Sequence, residues 1–141
     1  MRIGILGSGL MGGKLGTIFA RAGHEVVFSY SHSREKLNKL ARDAGKKARA
    51  GTPAEAVQDA DALLLAVHWS RVDDVLKQAG DVSGKVIVSC SLPMNADDTG
   101  LVIAHTSSGA DLTARPHPAL SSARTTKAFL IVDAFLSPYS I

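Results

Sequence analysis

The chain has 141 residues, of which 45% are hydrophobic and 21% are charged, and its formal charge is +3. This length fits about one domain, and the balance of residue types excludes an intrinsically disordered chain. The charge is too small and too dispersed to indicate a nucleic-acid partner, and no apolar run approaches the ~20 residues of a transmembrane helix. The single cysteine, Cys90, excludes an internal disulfide and a multi-cysteine metal site, so a reducing cytoplasm is the expected location.

The first half of the chain alternates strand-length apolar runs with helical patterns. A strand at Arg2–Leu6 precedes an amphipathic helix that Gly23 can end. A second strand at Glu25–Ser29 precedes a helix that Ser33 caps and Gly45 ends. A short third helix then begins at a capping box. The predicted apolar stripes and the box are Leu15, Ile18, Phe19 and Ala22; Leu37, Leu40, Ala41 and Ala44; and Thr52 to Glu55.

The second half continues the alternation. Ala62–Val67 is apolar throughout, which is typical of a parallel strand buried on both faces. A helix capped by Ser70 and ended by Gly80 follows, and Lys85–Ser89 predicts another strand. The pattern therefore predicts an α/β fold, one domain over residues 1–141 with a doubly wound, mostly parallel sheet. Two later elements are also predicted, a short helix near Gly109–Arg115 and a strand at Lys127–Val132.

A glycine-rich turn joins the first strand to the first helix. The stretch Gly7-Ser8-Gly9-Leu10-Met11-Gly12 matches G-x-G-x-x-G in the strand-to-helix context that makes this pattern meaningful. Gly7 permits the tight turn, Gly9 lets a pyrophosphate approach the backbone, and Gly12 lets the helix pack closely on the strand. The alternative is a plain strand-to-helix turn. A dinucleotide site, with phosphates at the helix N-terminus, is the better interpretation.

The end of the second strand indicates which dinucleotide binds. NAD sites carry an acidic residue there for the ribose 2′-hydroxyl. This chain instead has Ser29-Tyr30-Ser31, followed by Arg34 and Lys36, with His32 as a further candidate. Hydroxyl and basic side chains suit a 2′-phosphate, so we predict NADP(H) as the cofactor. The alternative is a solvated helix start in which Ser33 is only a cap and the basic side chains face water.

The sequence resembles a known family in its opening blocks and in several later ones. Arg2 to Gly9 with Gly12-Gly13, and then Ala22 to Val27, resemble the start of the NADPH-dependent reductases of the deazaflavin coenzyme F420. The resemblance covers nearly the whole chain. Its later blocks are Leu64–Trp69, Gly84–Val88, Ser91–Met94, His105–Ala110 and Lys127–Phe129.

The resemblance implies a Rossmann fold and a hydride transfer between NADP(H) and coenzyme F420. Such a step needs positioning and water exclusion more than a general acid or base. By this correspondence the glycine turn would hold the pyrophosphate, and Ser29–Ser31, Arg34 and Lys36 the adenosine phosphate. Residues past two strand ends would line the nicotinamide ribose and ring: Val67, His68, Trp69, Ser91 and Leu92.

Two residues depart from the family pattern. His68 stands where the family usually has proline, and Leu130 where it usually has a polar residue. His68 is a candidate proton donor, against the alternative of a structural loop histidine. The scattered histidines show no ligand spacing, so no metal is predicted. The family's C-terminal segment for substrate and dimer contacts is expected to be absent, which would leave the apolar Phe129–Phe135 to drive homodimerisation.

Three functions remain open from the sequence. The leading one is an NADPH-dependent oxidoreductase that transfers hydride to or from coenzyme F420 or a similar small-molecule acceptor. The second is a non-catalytic or weakly active NADP-binding module. The third is a related NADPH-dependent enzyme that reduces ferric iron or a flavin. All three predict a small-molecule ligand, and neither a nucleic-acid nor a membrane partner.

Overall fold

A computed structural model of the chain describes residues 1–91, Asp97 and the backbone of residues 124–126. In this part of the chain six parallel strands form one sheet in the order β3-β2-β1-β4-β5-β6. The predicted doubly wound α/β fold is confirmed, since this is the Rossmann strand order. The strands are β1 Arg2–Leu6, β2 Glu25–Ser29, β3 Ala48–Ala50, β4 Ala62–Leu65, β5 Val86–Ser89 and β6 Arg124–Thr126, and the helices are α1 Leu10–Arg21, α2 Arg34–Ala44, α3 Pro53–Val57 and α4 Val72–Ala79.

The strand order reverses at β1, and this reversal places the candidate site. From β1 the chain moves outward to β2 and β3, and then returns to β4 on the other side of β1. Leu6 at the end of β1 lies opposite Ser29 of β2 and Leu65 of β4. The three strands therefore end together, and the residues that follow them meet at one edge of the sheet.

Two apolar clusters cover the two faces of this sheet. Ile5 and Phe28 belong to the cluster under α1 and α2, whereas Leu6 and Leu65 belong to the cluster under α3 and α4. All four side chains are fully buried. The alternation follows from the pleat, because successive side chains of a strand point to opposite faces. Burial on both faces also explains why β4 is apolar without interruption.

The first helix packs through small residues and through part of its predicted stripe, since Leu15 and Phe19 pack against the core cluster. Its buried residues include Gly16 and Ala20, whereas Ile18 is 49% exposed and Ala22 is exposed. A Cβ at Gly16 would collide with the ring of Phe28. The helix therefore lies too close to β2 for a side chain at Gly16, and the predicted stripe is confirmed at Leu15 and Phe19 but wrong at Ile18 and Ala22.

The remaining elements agree with the sequence to within one residue except at three places. The short strand β3, three residues long, was not predicted, and β4 ends at Leu65 and not at Val67. A 3₁₀ turn at Trp69–Arg71 precedes α4, so the predicted cap Ser70 lies inside that turn and does not begin the helix. The predicted caps of α2 and α3 are confirmed. The predicted elements at Gly109–Arg115 and Lys127–Val132 lie outside the described residues.

Membrane insertion has no support among the described helices. The longest of them, α1, has 12 residues. In the part of the chain that the structure describes, no helix combines the length and apolar character needed to cross a bilayer.

Candidate dinucleotide-binding site

The turn after β1 depends on glycine at two positions. Gly7 has a φ of +109°, a backbone conformation that side chains disfavour, and a Cβ there would collide with the carbonyl group of Ala66. A Cβ at Gly12 would collide with the carbonyl oxygen of Gly7. These glycines let α1 begin directly above the end of β1, as the sequence pattern requires.

Gly9 opens the turn toward solvent. It is the N-cap residue of α1, and no side chain caps this helix. A Cβ built at Gly9 would meet nothing within 4 Å, so there is space above the first helical turn. The first N–H groups of a helix have no intrahelical partner and carry a partial positive charge, which attracts anions. The turn therefore fits a pyrophosphate, with space for it and with N–H donors that no side chain claims.

Ser8 and Ser29 fasten the turn to β2. The Ser8 N–H donates to the Tyr30 carbonyl oxygen at 3.2 Å, and the Ser8 hydroxyl donates to the Ser29 carbonyl oxygen at 2.8 Å. The Ser29 side chain is 0% exposed, and its hydroxyl donates to the Ile5 carbonyl oxygen at 2.6 Å. Ser29 was predicted among the cofactor contacts. The structure corrects that prediction, because its hydroxyl is used inside the sheet.

A cleft of about 710 Å³ lies where β1, β2 and β4 end. Its lining comes from the glycine turn, the loop after β2, the start of α3 and the segment from Ala66 to Gln78. This volume is typical of small-molecule sites. A second pocket, of about 400 Å³, is lined by none of the predicted site residues. The cleft brings together seven of the predicted residues, Gly7, Gly9, Tyr30, Ser31, Arg34, Val67 and His68, and adds the further candidate His32.

Several predicted residues lie outside the lining of this cleft. Leu10 and Met11 form the start of α1, and Gly12 packs against the backbone of Gly7 inside the turn. The Lys36 side chain is exposed on α2, and its backbone N–H donates to the hydroxyl of the cap residue Ser33 at 3.3 Å. Lys36 thus contributes to the helix cap through its backbone and does not line the cleft.

The residues predicted for the nicotinamide end are divided between core and cleft. Trp69 is half-buried and packs against the core cluster of α3 and α4. The hydroxyl of Ser91, which is 8% exposed, donates to the Val67 carbonyl oxygen at 2.7 Å. This bond joins the ends of β4 and β5 and fixes the backbone next to His68. Leu92 lies outside the described residues.

His68 lies in the cleft with a defined ring orientation. Its Nδ1 accepts a hydrogen bond from the Ser70 N–H at 3.2 Å and lies 2.8 Å from the Ser70 hydroxyl oxygen. A neutral imidazole that accepts at Nδ1 carries its proton on Nε2. Among the described residues, no group of three or more His, Cys, Asp or Glu side chains is arranged as a metal site.

Sequence reasoning missed the wall of the cleft that α4 provides. Asp74 and Gln78, four residues apart on one face of α4, line it together with Arg71, the residue just before the helix. The opposite face of α4 carries the predicted apolar residues, including Val75 and Leu76, which are fully buried. The sequence pattern that could have predicted this wall is the polar stripe on α4, because this helix follows a strand that ends at the cleft.

A hydrogen bond between Tyr30 and Asp74 crosses the cleft. The Tyr30 hydroxyl donates to Asp74 Oδ2 at 2.5 Å, and Gln78 Nε2 donates to the same oxygen at 3.0 Å. These two donors hold the pKa of Asp74 below its usual 3.8. Partial burial, and then the bond to Asp74, raise the pKa of Tyr30 above its usual 10.0. At neutral pH the hydroxyl therefore keeps its proton and the carboxylate stays charged, with the positive charge of Arg71 acting on both groups.

Solved structures of other proteins share this fold. A proposed F420-dependent NADP-reductase from Arthrobacter sp. FB24 aligns with a TM-score of 0.74 and 20% identity over 90% of this chain and 61% of its own. A hypothetical protein from Sinorhizobium meliloti aligns with a TM-score of 0.74 and 22% identity over 92% of this chain and 61% of its own. The reductive aminase of Aspergillus terreus was solved with NADPH4, cyclohexanone and allyl amine. It aligns with a TM-score of 0.62 and 19% identity over 89% of this chain and 40% of its own.

The sequence comparison identifies the family. The chain spans 61% of the length of the first two structural relatives, and at these identities the likeness establishes the fold. No curated protein sequence matches the chain. The sequence model of the family described as NADP oxidoreductase, coenzyme F420-dependent, matches residues 2–93, which is well over half of the chain. The chain therefore belongs to the coenzyme F420-dependent NADP oxidoreductase family.

Proposed function

We propose that the chain binds NADP(H) in this cleft and acts in hydride transfer between NADP(H) and a deazaflavin of the coenzyme F420 type. One observation carries the proposal. The open glycine turn shares its cleft with Arg34, and no carboxylate follows β2 where an NAD site would place one. A deazaflavin is proposed as acceptor because of the family to which the chain belongs.

Each part of the cleft has a role in this proposal. The N–H groups at the start of α1 would hold the pyrophosphate, next to the space at Gly9. Ser31, His32 and Arg34 would bind the 2′-phosphate, since a guanidinium group can donate two parallel hydrogen bonds to phosphate oxygens. Val67 and His68 would border the nicotinamide, which supplies the hydride. The Ser91 bond to the Val67 carbonyl group keeps this border in place.

The 2′-phosphate contact gives the first prediction. Arg34→Ala should weaken NADPH binding by roughly tenfold or more, because a hydrogen bond to a charged group is worth about 1.5–3 kcal/mol. NADH affinity should stay unchanged. Trp69 is the single tryptophan of the chain, so quenching of its fluorescence by the reduced nicotinamide provides the titration signal.

Lys36→Ala is the matched control for this substitution. Lys36 lies on the same helix as Arg34 and has the same charge, but it does not line the cleft. We expect wild-type affinity for NADPH in this variant. Equal NADH and NADPH affinities in the wild-type chain, or an unchanged NADPH affinity in Arg34→Ala, would contradict the proposed cofactor.

The acceptor is tested by turnover. Protein, NADPH and oxidised coenzyme F420 are mixed at several protein concentrations, and the absorbance of the reduced nicotinamide is followed. NADPH oxidation in proportion to protein supports the proposal. Binding without oxidation would instead favour a non-catalytic NADP-binding module. Oxidation only with a flavin or ferric iron would favour an NADPH-dependent ferric or flavin reductase.

We further propose a cytoplasmic location and a homodimer. The location rests on the single cysteine of the chain, which suits a reducing compartment. The homodimer rests on the apolar stretch Phe129–Phe135.

A further inference from the structure

Tyr30 has an unusual backbone conformation at the point where the chain leaves β2. Its φ is +57°, the left-handed region that bulky side chains rarely adopt. Such a conformation persists where surrounding contacts enforce it. Here the Ser8 N–H donates to the Tyr30 carbonyl oxygen at 3.2 Å, and the Tyr30 hydroxyl donates to Asp74 at 2.5 Å. The residue is therefore held at both ends, by its backbone and by its side-chain tip.

The loop that begins at Tyr30 passes from one layer of the fold to the other. The Tyr30 ring packs against the core cluster that α3 and α4 share. Leu37, seven positions later on α2, belongs to the cluster on the opposite face of the sheet. The residues between them cross the carboxyl edge of the sheet and include Ser31, His32 and Arg34 of the cleft. Tyr30 is thus the anchor of this loop on the α4 side.

The acceptor of the Tyr30 hydroxyl is itself oriented. Asp74 Oδ2 also receives Gln78 Nε2 at 3.0 Å, from a position one helical turn later. A hydroxyl bonded to a carboxylate at 2.5 Å is a charge-assisted hydrogen bond, which is stronger than a neutral one. Tyr30 and Asp74 are 44 residues apart in the sequence. This bond therefore links the loop after β2 to α4, which form two different walls of the cleft.

We propose that the hydrogen bond between Tyr30 and Asp74 positions the Ser31–Arg34 loop for the 2′-phosphate and thereby sets the preference for NADP(H) over NAD(H). Both residues are positioning residues that act through the loop. The inference rests on the proposed function, because it presupposes a 2′-phosphate on this loop. Its physical basis is a population effect, since loosening the loop lowers the fraction of molecules ready to bind and raises the apparent Kd in proportion.

The test uses the intact chain and two half-cofactor probes, 2′,5′-ADP and 5′-AMP, which differ by the 2′-phosphate. Their affinities are measured by isothermal titration calorimetry. Wild-type protein should bind 2′,5′-ADP more tightly. Tyr30→Phe keeps the ring and loses the hydroxyl, and it should raise the Kd for 2′,5′-ADP about five- to tenfold. Its Kd for 5′-AMP should change by less than about twofold, since that probe lacks the 2′-phosphate for which the loop is positioned.

Two substitutions of Asp74 separate positioning from general stability. Asp74→Asn keeps an oxygen that can accept the Tyr30 hydroxyl, so it should retain most of the preference for 2′,5′-ADP. Asp74→Ala removes the acceptor and should match Tyr30→Phe. Asp74 is exposed on α4, so Asp74→Ala carries the test if thermal unfolding shows that Tyr30→Phe does not fold.

The outcomes are distinguishable. An equal loss of both probes in Tyr30→Phe and Asp74→Ala would show a merely structural role and overturn the inference. An unchanged ratio of the two affinities in these variants would also overturn it, and would leave the proposed function standing if the wild type prefers 2′,5′-ADP. A wild-type chain with no preference would overturn the proposed cofactor, and the inference with it.

Discussion

Single glycines in the turn after β1 have separable tasks. At Gly9 an added methyl group would meet no protein atom, whereas at Gly12 it would meet the carbonyl oxygen of Gly7. One substitution should therefore affect the ligand and the other should affect the fold. The sequence pattern alone assigns both residues to the same motif.

These two positions give a paired prediction. Gly9→Ala should have a free energy of unfolding close to that of the wild type. It should bind NADPH much more weakly, because its methyl group occupies the space proposed for the pyrophosphate. Gly12→Ala should lower the free energy of unfolding by about 1–3 kcal/mol through overpacking. Urea unfolding and NADPH titration measure the two effects. Wild-type NADPH affinity in Gly9→Ala would contradict the assigned role of the turn.

The sequence could predict the residues of the turn but not the conformation of Tyr30. The glycine pattern has a local cause, since Gly7 has a positive φ in the strand-to-helix turn and Gly12 avoids a clash with the Gly7 carbonyl oxygen in the same turn. The left-handed φ of Tyr30 is enforced by contacts with Ser8 and Asp74, which lie 22 positions before it and 44 positions after it. The buried hydroxyl of Ser29 is likewise a consequence of strand pairing, so its residue type alone suggested a ligand contact.

Among the helices, prediction succeeded where the ends are marked by local chemistry. Ser33 begins α2 and Thr52 begins α3, and both side chains accept the expected backbone N–H group. The predicted face of α1 was right at Leu15 and Phe19 but wrong at Ile18 and Ala22, because periodicity counts large apolar residues and ignores glycine packed against a ring. The strand β3 was missed because three residues, two of them alanine, give no apolar run. Its pairing with β2 fixes it.

The capping box of α3 gives a pH-dependent prediction. Glu55 Oε2 accepts the Thr52 N–H at 2.6 Å, and this bond is the main cause that holds the pKa of Glu55 below its usual 4.5. A carboxyl group with a lowered folded pKa stabilises the fold above its unfolded pKa, and the contribution is lost as pH falls through the folded value. The advantage of the wild type over Glu55→Gln should therefore be present at neutral pH and vanish in acid.

Urea unfolding from neutral pH down to about pH 3 measures this difference. Glutamine still accepts the N–H group but carries no charge, so it isolates the ionisation. Thr52→Ala is the comparison variant, and it should cost about 1 kcal/mol with a weaker dependence on pH. A difference between wild type and Glu55→Gln that is constant with pH would contradict the role of the carboxylate.

For the whole molecule, the strand order followed from the alternation of elements, but the walls of the cleft did not. Alternating strands and helices restrict the topology to few choices, and right-handed crossovers select the doubly wound one. The wall formed by Arg71, Asp74 and Gln78 depends on the position of α4 relative to the carboxyl ends of the strands. That placement is set by packing of its buried face, including Val75, on the sheet.

Self-association is the prediction that concerns the entire chain. Six of the seven residues in Phe129–Phe135 are apolar, and the exception is Asp133. We expect a dimer in analytical ultracentrifugation at micromolar concentration, and dissociation when Ile131→Asp places a charge in this stretch. Ile18→Lys is the control, because Ile18 is an exposed apolar residue elsewhere and its replacement should leave the dimer intact. Monomeric wild-type protein would contradict the prediction.

The cleft is assembled from chain segments that lie far apart in the sequence, at residues 7–9, 30–37, 51–53 and 66–78. The unfolded chain therefore lacks this cleft, so a nucleotide that binds in the cleft stabilises the folded state alone. At a free nucleotide concentration one hundred times its Kd, mass action adds about 2.7 kcal/mol to the free energy of unfolding. The lifetime of such a protein would then follow the cell's supply of the nucleotide as well as its own sequence.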